Sequence, residues 1–240
     1  MDDLYLVRDL KLSFPDLAHK PLFGIPPRID ILHGLSFSIR RGEVLGIVGG
    51  SGSGKSTLGR VLVRLLEPSG GEVMFDGQDI THLGEDALRP LRRRFQMIFQ
   101  DPMSSLNPRR TVGAIIAGPL QLHGFDHVPA RVDQALDHVG LPRAFGSRYP
   151  HELSGGQRQR VGIARAIAMQ PEFILADEIV SGLDVSSQAQ VLKLLADLVR
   201  DLGLTLAFIS HDLSVIRRLC GRIMVLHQGR IVEHRATDAL

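Results

Sequence analysis

The sequence predicts an α/β domain in which helices pack against a sheet. Two observations carry this prediction. A strand, a glycine-rich turn and a helix follow one another over residues 43–66, and two later apolar runs, Phe173–Ala176 and Leu204–Ile209, are separated by the helical pattern Gln188–Leu202. Short apolar runs separated by a helix are typical of buried parallel strands. With 240 residues, the chain is long enough to bury one substantial core.

The first strands are predicted from alternating apolar and polar residues, over Tyr5–Phe14 and Ile31–Ile39. Between them, Pro15–Asp30 contains four prolines and little periodicity, so it is predicted to be a long inserted loop. Glu72–Phe75 and Arg94–Phe99 are the next predicted strands.

The later elements begin with a helical block from about Thr111 to Met169, which is predicted to interrupt the sheet. Near the end of the chain, Ile223–Leu226 and Ile231–Glu233 flank Gln228-Gly229. A short turn with glycine between two apolar runs predicts a hairpin.

The charge balance does not by itself indicate nucleic-acid binding, because 28 Lys and Arg against 26 Asp and Glu give a formal net charge of only +2. Four arginines are crowded together without interleaved aromatic residues, so they predict a solvated face rather than a nucleic-acid or lipid surface. They are Arg89, Arg92, Arg93 and Arg94.

The compartment predicted from the sequence is the cytoplasm. The amino-terminal residues Met1–Asp3 are acidic and lack a secretory pattern, and the single cysteine, Cys220, excludes an intramolecular disulfide. No run approaches the roughly 18 to 20 apolar residues that cross a bilayer. A role at a membrane would therefore depend on partners.

A phosphate-binding loop is predicted where Gly49 to Ser56 fit the pattern G-x-x-x-x-G-K-[ST]. Glycines let successive backbone N–H groups surround phosphate oxygens, Lys55 adds a charge toward the β and γ phosphates, and Ser56 would bind Mg²⁺. A chance match is disfavoured because a strand and a helix flank the loop. The predicted nucleotide-binding residues here are Gly49, Gly50, Ser51, Gly52, Ser53, Gly54, Lys55, Ser56 and Thr57.

Two carboxylates follow the buried strand Phe173–Ala176, at the carboxyl end where open α/β sheets bind ligands. We predict that Asp177 holds Mg²⁺ and that Glu178 polarises the attacking water as general base. Such a pair is weak evidence alone, but beside a phosphate loop it predicts a nucleoside triphosphatase.

Residues 153–157, Leu-Ser-Gly-Gly-Gln, resemble the signature motif of ABC ATPases. Ser154 is predicted to start a helix, where its hydroxyl and the following amides form an anion site. An ordinary capped helix would explain Ser154 but not paired glycines, which cost helix stability. The resemblance implies that this motif faces the γ phosphate bound by the opposite subunit. Its residues are Leu153, Ser154, Gly155, Gly156 and Gln157.

Three further segments follow in the order of that family. Gln100 resembles the Q-loop glutamine, which reaches Mg²⁺ and the attacking water, and His211 resembles the switch histidine, which contacts the γ phosphate. The resemblance thus implies a metal site of Ser56, Gln100 and Asp177. Residues resembling the D-loop, which crosses the dimer seam, are Ser181, Leu183 and Asp184.

The aromatic residue that stacks on adenine is assigned to Phe14 by its position in the family. Tyr5 and Phe23 remain alternatives, and a core position is the competing interpretation of Phe14.

The fold that the resemblance implies is a P-loop NTPase of the ABC type, over Tyr5 to about Leu240. It has a mixed central sheet with helices, an antiparallel β subdomain and a helical signature subdomain. Residues of about 1–102 and 170–240 would form the RecA-like core with the antiparallel β subdomain, and about 103–169 the helical subdomain.

The amino-acid sequences of two segments, Phe99–Arg109 and Leu183–Ser186, resemble those of the second ATPase of oligopeptide and dipeptide importers. Ile179 and Gly50 depart from that subfamily at positions not expected to touch the γ phosphate. The resemblance implies hydrolysis of ATP with Mg²⁺, on the cytoplasmic face of the plasma membrane. It also implies a sister ATPase in a heterodimer, with a homodimer left open, two transmembrane permeases and an external solute-binding protein.

One alternative function shares every motif named above. Soluble ABC ATPases that assist an enzyme complex, such as carbon–phosphorus lyase accessory proteins, closely resemble the peptide-importer subunits. Co-purification with permeases or with soluble enzymes would separate the two functions.

Overall fold

The computed structural model describes residues 2–16, 18–19, 24–101 and 105–237. The chain divides into two compact units, one of residues 1–88 with 209–240 and one of residues 89–208. None of the helices in the described part of the chain combines the length and apolar character that a bilayer crossing requires.

The elements are named in chain order. The strands are β1 (Asp3–Pro15), β2 (Arg28–Arg40), β3 (Val44–Val48), β4 (Gly70–Phe75), β5 (Gln78–Asp79), β6 (Phe95–Ile98), β7 (Phe173–Asp177), β8 (Thr205–Ile209), β9 (Arg222–His227) and β10 (Arg230–Ala236). The α-helices are α1 (Lys55–Leu62), α2 (Glu85–Leu88), α3 (Val112–Leu122), α4 (Val128–His138), α5 (Gly155–Ile167), α6 (Val185–Leu202) and α7 (Leu213–Leu219). Short 3-10 helices span Leu91–Arg93, Arg143–Ser147 and Pro150–Glu152.

The first unit contains an antiparallel sheet in the strand order β2-β1-β4-β5. The pairing of β1 with β2 extends to Pro15 opposite Arg28, so the predicted loop Pro15–Asp30 is too long at both ends. Continued pairing satisfies backbone groups that a loop would leave to water, and proline is tolerated at a strand end.

A second set of strands in the first unit carries the phosphate loop. β3 pairs with β9 in parallel, with Gly46 opposite Ile223, and β9 pairs with β10 as an antiparallel hairpin. Gln228 and Gly229 both have positive φ, 46° and 68°, which is the backbone that a two-residue hairpin requires. The predicted hairpin at this position is confirmed.

Helix α1 is shorter than predicted. The apolar pattern continues to Leu66, but the helix ends at Leu62, and Arg64 has a φ of 50°. The buried Arg64 guanidinium instead donates from Nε to the Ile80 carbonyl at 2.7 Å and from Nη1 to the Leu66 carbonyl at 3.1 Å. These hydrogen bonds offset the left-handed backbone at Arg64, which ends the helix.

The second unit pairs β6 with β7 in parallel, with Phe95 opposite Phe173. All five residues of β7 are buried. The predicted helical block resolves into α3, α4, α5 and two 3-10 helices, because Gly124 and Gly140 adopt left-handed φ values of 68° and 64° that end helices. Helix α6 begins three residues before its predicted start of Gln188, where Asp184 caps it.

Candidate nucleotide-binding site

The phosphate loop, residues 49–54, joins the end of β3 to the start of α1. The Lys55 ammonium is mostly buried, and it donates to the carbonyl oxygens of Gly49 and Gly50, each at 2.9 Å. The Ser53 N–H closes a turn within the loop by donating to the Gly50 carbonyl at 3.2 Å. The positive charge therefore lies within the curve of the loop, as phosphate binding requires.

The loop also has room and polar groups for a phosphate. Cβ atoms built at Gly50 and Gly52 would meet nothing within 4 Å, so open space lies beside the backbone at both positions. The Ser53 hydroxyl is buried and has no hydrogen-bond partner among the described residues. Buried hydroxyls are normally paired, so this donor fits a site that is completed by a polyanionic ligand.

The turn of the β9–β10 hairpin contacts the phosphate loop directly. The Gly229 N–H donates to the Ser53 carbonyl at 3.0 Å, and the Gly229 carbonyl accepts from the His33 N–H at 3.0 Å. A Cβ at Gly229 would lie 2.0 Å from the Ile31 carbonyl oxygen, so only glycine fits between β2 and the loop. The sequence predicted the turn but gave no signal that it holds the phosphate loop.

His211 also belongs to the first unit, where it lies just beyond the end of β8. The neighbouring Ser210 N–H donates to the Ile47 carbonyl of β3 at 3.2 Å, which places His211 near the strand that leads into the phosphate loop. Its side chain is exposed, and the following Asp212 caps α7 by accepting from the Ser214 N–H at 2.8 Å.

The aromatic candidates for adenine stacking differ in exposure. Phe14, at the end of β1, is 39 % exposed, whereas Tyr5 is 0 % exposed. The Tyr5 hydroxyl donates to the Leu62 carbonyl at 3.0 Å, and its ring packs on Phe75. Tyr5 is thus a core residue and is excluded as a stacking surface, while Phe23 lies outside the described residues.

In the second unit, the predicted acid pair stands at the end of β7. Asp177 is 4 % exposed, and Glu178 has a left-handed φ of 48°. Gln100 donates from Nε2 to Glu178 Oε2 at 3.1 Å, across 78 positions of sequence. The structure therefore brings the predicted Q-loop glutamine and the predicted general base into direct contact.

The predicted signature motif begins helix α5. The Gln157 N–H donates to Ser154 Oγ at 3.3 Å, and the Ser154 N–H donates to Gln157 Oε1 at 3.0 Å. This reciprocal cap fixes the Ser154 side chain at the positive end of the helix. Leu153 is buried and anchors the motif, while Ser154 is exposed.

The predicted D-loop lies against the signature motif. Cβ atoms at Gly155 and Gly156 would come within 3.9 Å of Leu183 Cδ2 and 3.5 Å of Ser187 Oγ. Asp184 caps α6 by accepting from the Ser187 N–H at 2.9 Å and the Ser187 hydroxyl at 2.7 Å. These hydrogen bonds lower the pKa of Asp184. Ser181 is exposed, and its N–H donates to the Glu178 carbonyl at 3.0 Å.

The predicted site residues are thus divided between the units. The phosphate loop, Phe14 and His211 belong to the first unit, and Gln100 and the acid pair belong to the second. The predicted metal ligand Ser56 lies in the first unit, whereas the other two belong to the second.

Comparison with known proteins places this geometry in a family. The family profile described as ABC transporter matches residues 32–181. A putative peptide import ATP-binding protein of Brucella ovis is 52% identical over 88% of this chain and 68% of the relative. The oligopeptide transport ATP-binding protein AppF of Bacillus subtilis is 51% identical over 95% of this chain and 70% of the relative.

Solved structures confirm the predicted fold class. CbiO1 of Clostridium perfringens, part of an ABC transporter complex, matches with a TM-score of 0.85 and 29% identity over 100% of this chain and 90% of that protein. A dimeric ATP-binding cassette in a post-hydrolysis state with ADP and Pi matches with a TM-score of 0.83 and 30% identity over 97% and 98%. Since a matching profile, close relatives and a shared fold agree with the loop and signature geometry, this chain belongs to the ABC transporter family.

Proposed function

We propose that this chain is the ATP-binding and hydrolysing subunit that powers an ABC importer for di- or oligopeptides or a related small solute. The phosphate loop carries the nucleotide-binding part of the proposal. It combines the Lys55 ammonium, a Ser53 hydroxyl with no hydrogen-bond partner in the described part of the chain, and open space beside Gly50 and Gly52. The names of relatives that are 51–52% identical support the peptide cargo.

Residues 49–57 would hold the phosphates of ATP. Phosphate oxygens are stronger acceptors than the carbonyls of Gly49 and Gly50, so Lys55 would exchange those hydrogen bonds for ionic ones to the β and γ phosphates. Phe14, which is partly exposed at the end of β1, would stack on the adenine ring.

The residues proposed to hold Mg²⁺ are Ser56, Gln100 and Asp177. A hydroxyl, an amide oxygen and a carboxylate are the oxygen ligands that this ion prefers. Bound there, Mg²⁺ would neutralise negative charge on the phosphates while the γ phosphoryl group of ATP is transferred to water. Asp177 is held at the end of a fully buried strand, which fixes the position of its carboxylate.

Glu178 is proposed to accept a proton from the attacking water. The hydrogen bond from Gln100 to Oε2 orients the Glu178 carboxylate that would accept this proton. His211 would donate to the γ phosphate and stabilise the charge that develops there.

The signature residues 153–157 are proposed to complete the site of a second subunit. Ser154 and the Gly155 and Gly156 amides would bind the γ phosphate held by the phosphate loop of that subunit. The D-loop residues Ser181, Leu183 and Asp184, which lie beside the signature, would cross the same seam.

The partners proposed for this chain are a sister ATPase, in a heterodimer or a homodimer, and two transmembrane permeases. An extracytoplasmic solute-binding protein would act through the permeases, and no nucleic acid takes part. The chain would sit peripherally on the cytoplasmic face of the plasma membrane. We also propose residues of about 1–102 and 170–240 as the core, with about 103–169 as the helical subdomain.

The test is to co-express the tagged chain with its genomic neighbours, purify it in detergent, and measure Mg·ATP hydrolysis. The proposal requires two permeases and a sister ATPase in the purified assembly, and hydrolysis that falls at least about 100-fold in Glu178→Gln. Glu67→Gln, at an exposed glutamate paired with His82, is the control and should hydrolyse ATP normally. Purification with soluble enzymes and without permeases would contradict the importer function.

A further inference from the structure

Arg165 is an arginine of the signature helix α5 that faces inward and has no role in the function proposed above. Its Nη1 donates to the Ser105 carbonyl oxygen at 2.7 Å, across 60 positions of sequence. Desolvation by the surrounding protein lowers the pKa of Arg165. The guanidinium is therefore largely withdrawn from water, and one of its donors is aimed at the segment that follows Gln100.

Ser105 is in turn fixed to the residue next to Gln100. The Ser105 N–H donates to the Asp101 carbonyl at 3.2 Å, and Gln100 donates to Glu178 Oε2 at 3.1 Å. Three hydrogen bonds and the peptide link between Gln100 and Asp101 thus connect α5 to the proposed general base. Every member of the series belongs to the second unit.

Stability alone does not explain a cation at this position. Withdrawing a charged group from water is costly, and replacing such groups by apolar side chains of similar volume is often neutral or stabilising. A charge-assisted hydrogen bond to a backbone carbonyl, by contrast, fixes a loop at one point. The hydrogen bond between Arg165 and Ser105 therefore contributes more to fixing the position of Ser105 than to the stability of the fold.

We propose that Arg165 is a positioning residue that ties Ser105, and through it Asp101 beside Gln100, to the helix presenting the signature motif. The helix that is capped by Ser154 and the Gln100–Glu178 pair are thereby held in one fixed arrangement. This inference rests on the proposed function, since Gln100 and Glu178 act on the attacking water only in an ATPase.

The test compares Arg165→Met with Arg165→Lys in the detergent-purified assembly. Met keeps most of the side-chain volume but removes all N–H donors, whereas Lys keeps the positive charge and an ammonium that can donate. We expect kcat to fall about tenfold in Arg165→Met and at most about threefold in Arg165→Lys, with KM for ATP within about twofold of wild type in both. Arg143→Met, which removes an exposed ion pair with Asp137, is the control and should leave both constants unchanged.

A double-mutant cycle separates positioning from packing. If Arg165 acts through Gln100, adding Arg165→Met to Gln100→Ala should lower kcat no further than Gln100→Ala alone. If thermal unfolding shows that Arg165→Met does not fold, the same cycle is measured with Arg165→Lys. The proposal then requires that Arg165→Lys lower kcat in the wild-type background but not in the Gln100→Ala background. Additive losses, or an Arg165→Met assembly as active as wild type, would overturn the proposal.

The outcomes also separate this inference from the proposed function. A wild-type assembly that does not hydrolyse ATP would overturn both. An active wild type whose kcat is unaffected by Arg165→Met would overturn the role of Arg165 alone.

Discussion

Among single residues, Lys55 has the most direct part in the proposed binding of nucleotide. Its ammonium lies 2.9 Å from two loop carbonyls, and Lys55 as a whole residue is 6 % exposed. Burial weakens competition from water, so an ion pair between this ammonium and phosphate is worth far more than a surface pair. Another lysine of this chain, Lys193, allows the effect of removing Lys55 to be compared with that of removing an exposed lysine.

Replacing Lys55 with Ala should weaken ATP binding by about 100-fold, because the phosphates lose a partly desolvated positive charge. Isothermal titration of the isolated chain with ATP measures the effect. Lys193→Ala is the control, since Lys193 pairs with Asp197 on the exposed surface of α6, and its Kd should match wild type. If both variants lost the same affinity for ATP, the loss would come from the change in net charge and not from a contact of Lys55 with phosphate.

The sequence alone predicted those site residues that lie close together along the chain. The motif that includes the phosphate loop consists of eight consecutive residues, 49–56, and the acid pair follows an apolar strand directly. The contact between Gln100 and Glu178 joins residues 78 positions apart, so only the resemblance to a family pointed to it. The exclusion of Tyr5 as a stacking surface needed the structure, because periodicity does not separate a buried aromatic from one at a strand end.

At the scale of elements, the β9–β10 hairpin is a structural support of the phosphate loop. Gly229 donates to the Ser53 carbonyl and accepts from the His33 N–H, each at 3.0 Å. Its φ of 68° disfavours a side chain, and the close approach of the Ile31 carbonyl leaves no room for one. A disturbance of this hairpin is therefore transmitted to the loop through one hydrogen bond.

We expect Gly229→Ala to lower the free energy of unfolding by about 1–3 kcal/mol and to weaken ATP binding as well. Gly77→Ala is a close control, because Gly77 has a similar φ of 74° but nothing within 4 Å of its Cβ position. Urea unfolding and ATP titration of both variants separate backbone strain, which they share, from the collision with β2. If both lose the same stability and neither loses affinity, the hairpin does not support the loop.

The amino end of α6 should respond to acid. Hydrogen bonds from the Ser187 hydroxyl and N–H lower the pKa of Asp184 below its ordinary 3.8. Because the folded pKa is lowered, the cap stabilises α6 above pH 3.8 and is lost as the pH falls through the folded value. Amide hydrogen-exchange protection in the first turn of α6 should fall over that window in wild type. It should not change in Asp184→Asn, which keeps a capping side chain but does not titrate.

Element boundaries show where the sequence pattern is insufficient. Leu65 and Leu66 continue the periodicity of α1, yet the left-handed Arg64 ends that helix through its hydrogen bonds to distant carbonyls. Arg28 to Asp30 follow two prolines and are exposed, yet they join β2, because β1 offers them backbone partners. Both errors arise from tertiary contacts, whereas the continuous apolar run of β7 and the capped start of α5 were predicted correctly.

At the scale of the whole molecule, the proposed mechanism assigns two surfaces of one chain to two different nucleotides. The phosphate loop belongs to the first unit and the signature to the second. The solved cassette with ADP and Pi is a dimer, which supports an arrangement in which each signature acts on the partner's nucleotide. The two surfaces should then be separable by mutation.

The substitution Ser154→Arg tests that separation. A bulky cation at the exposed cap of α5 should obstruct closure on the partner's γ phosphate and lower ATP hydrolysis by the assembly at least about tenfold. ATP binding by the isolated chain should stay within about twofold, because its phosphate loop is intact. Ser147→Arg, at an exposed serine outside the signature, should change neither quantity. A matching loss of affinity in isolated Ser154→Arg would instead mean that the signature acts on the nucleotide of its own chain.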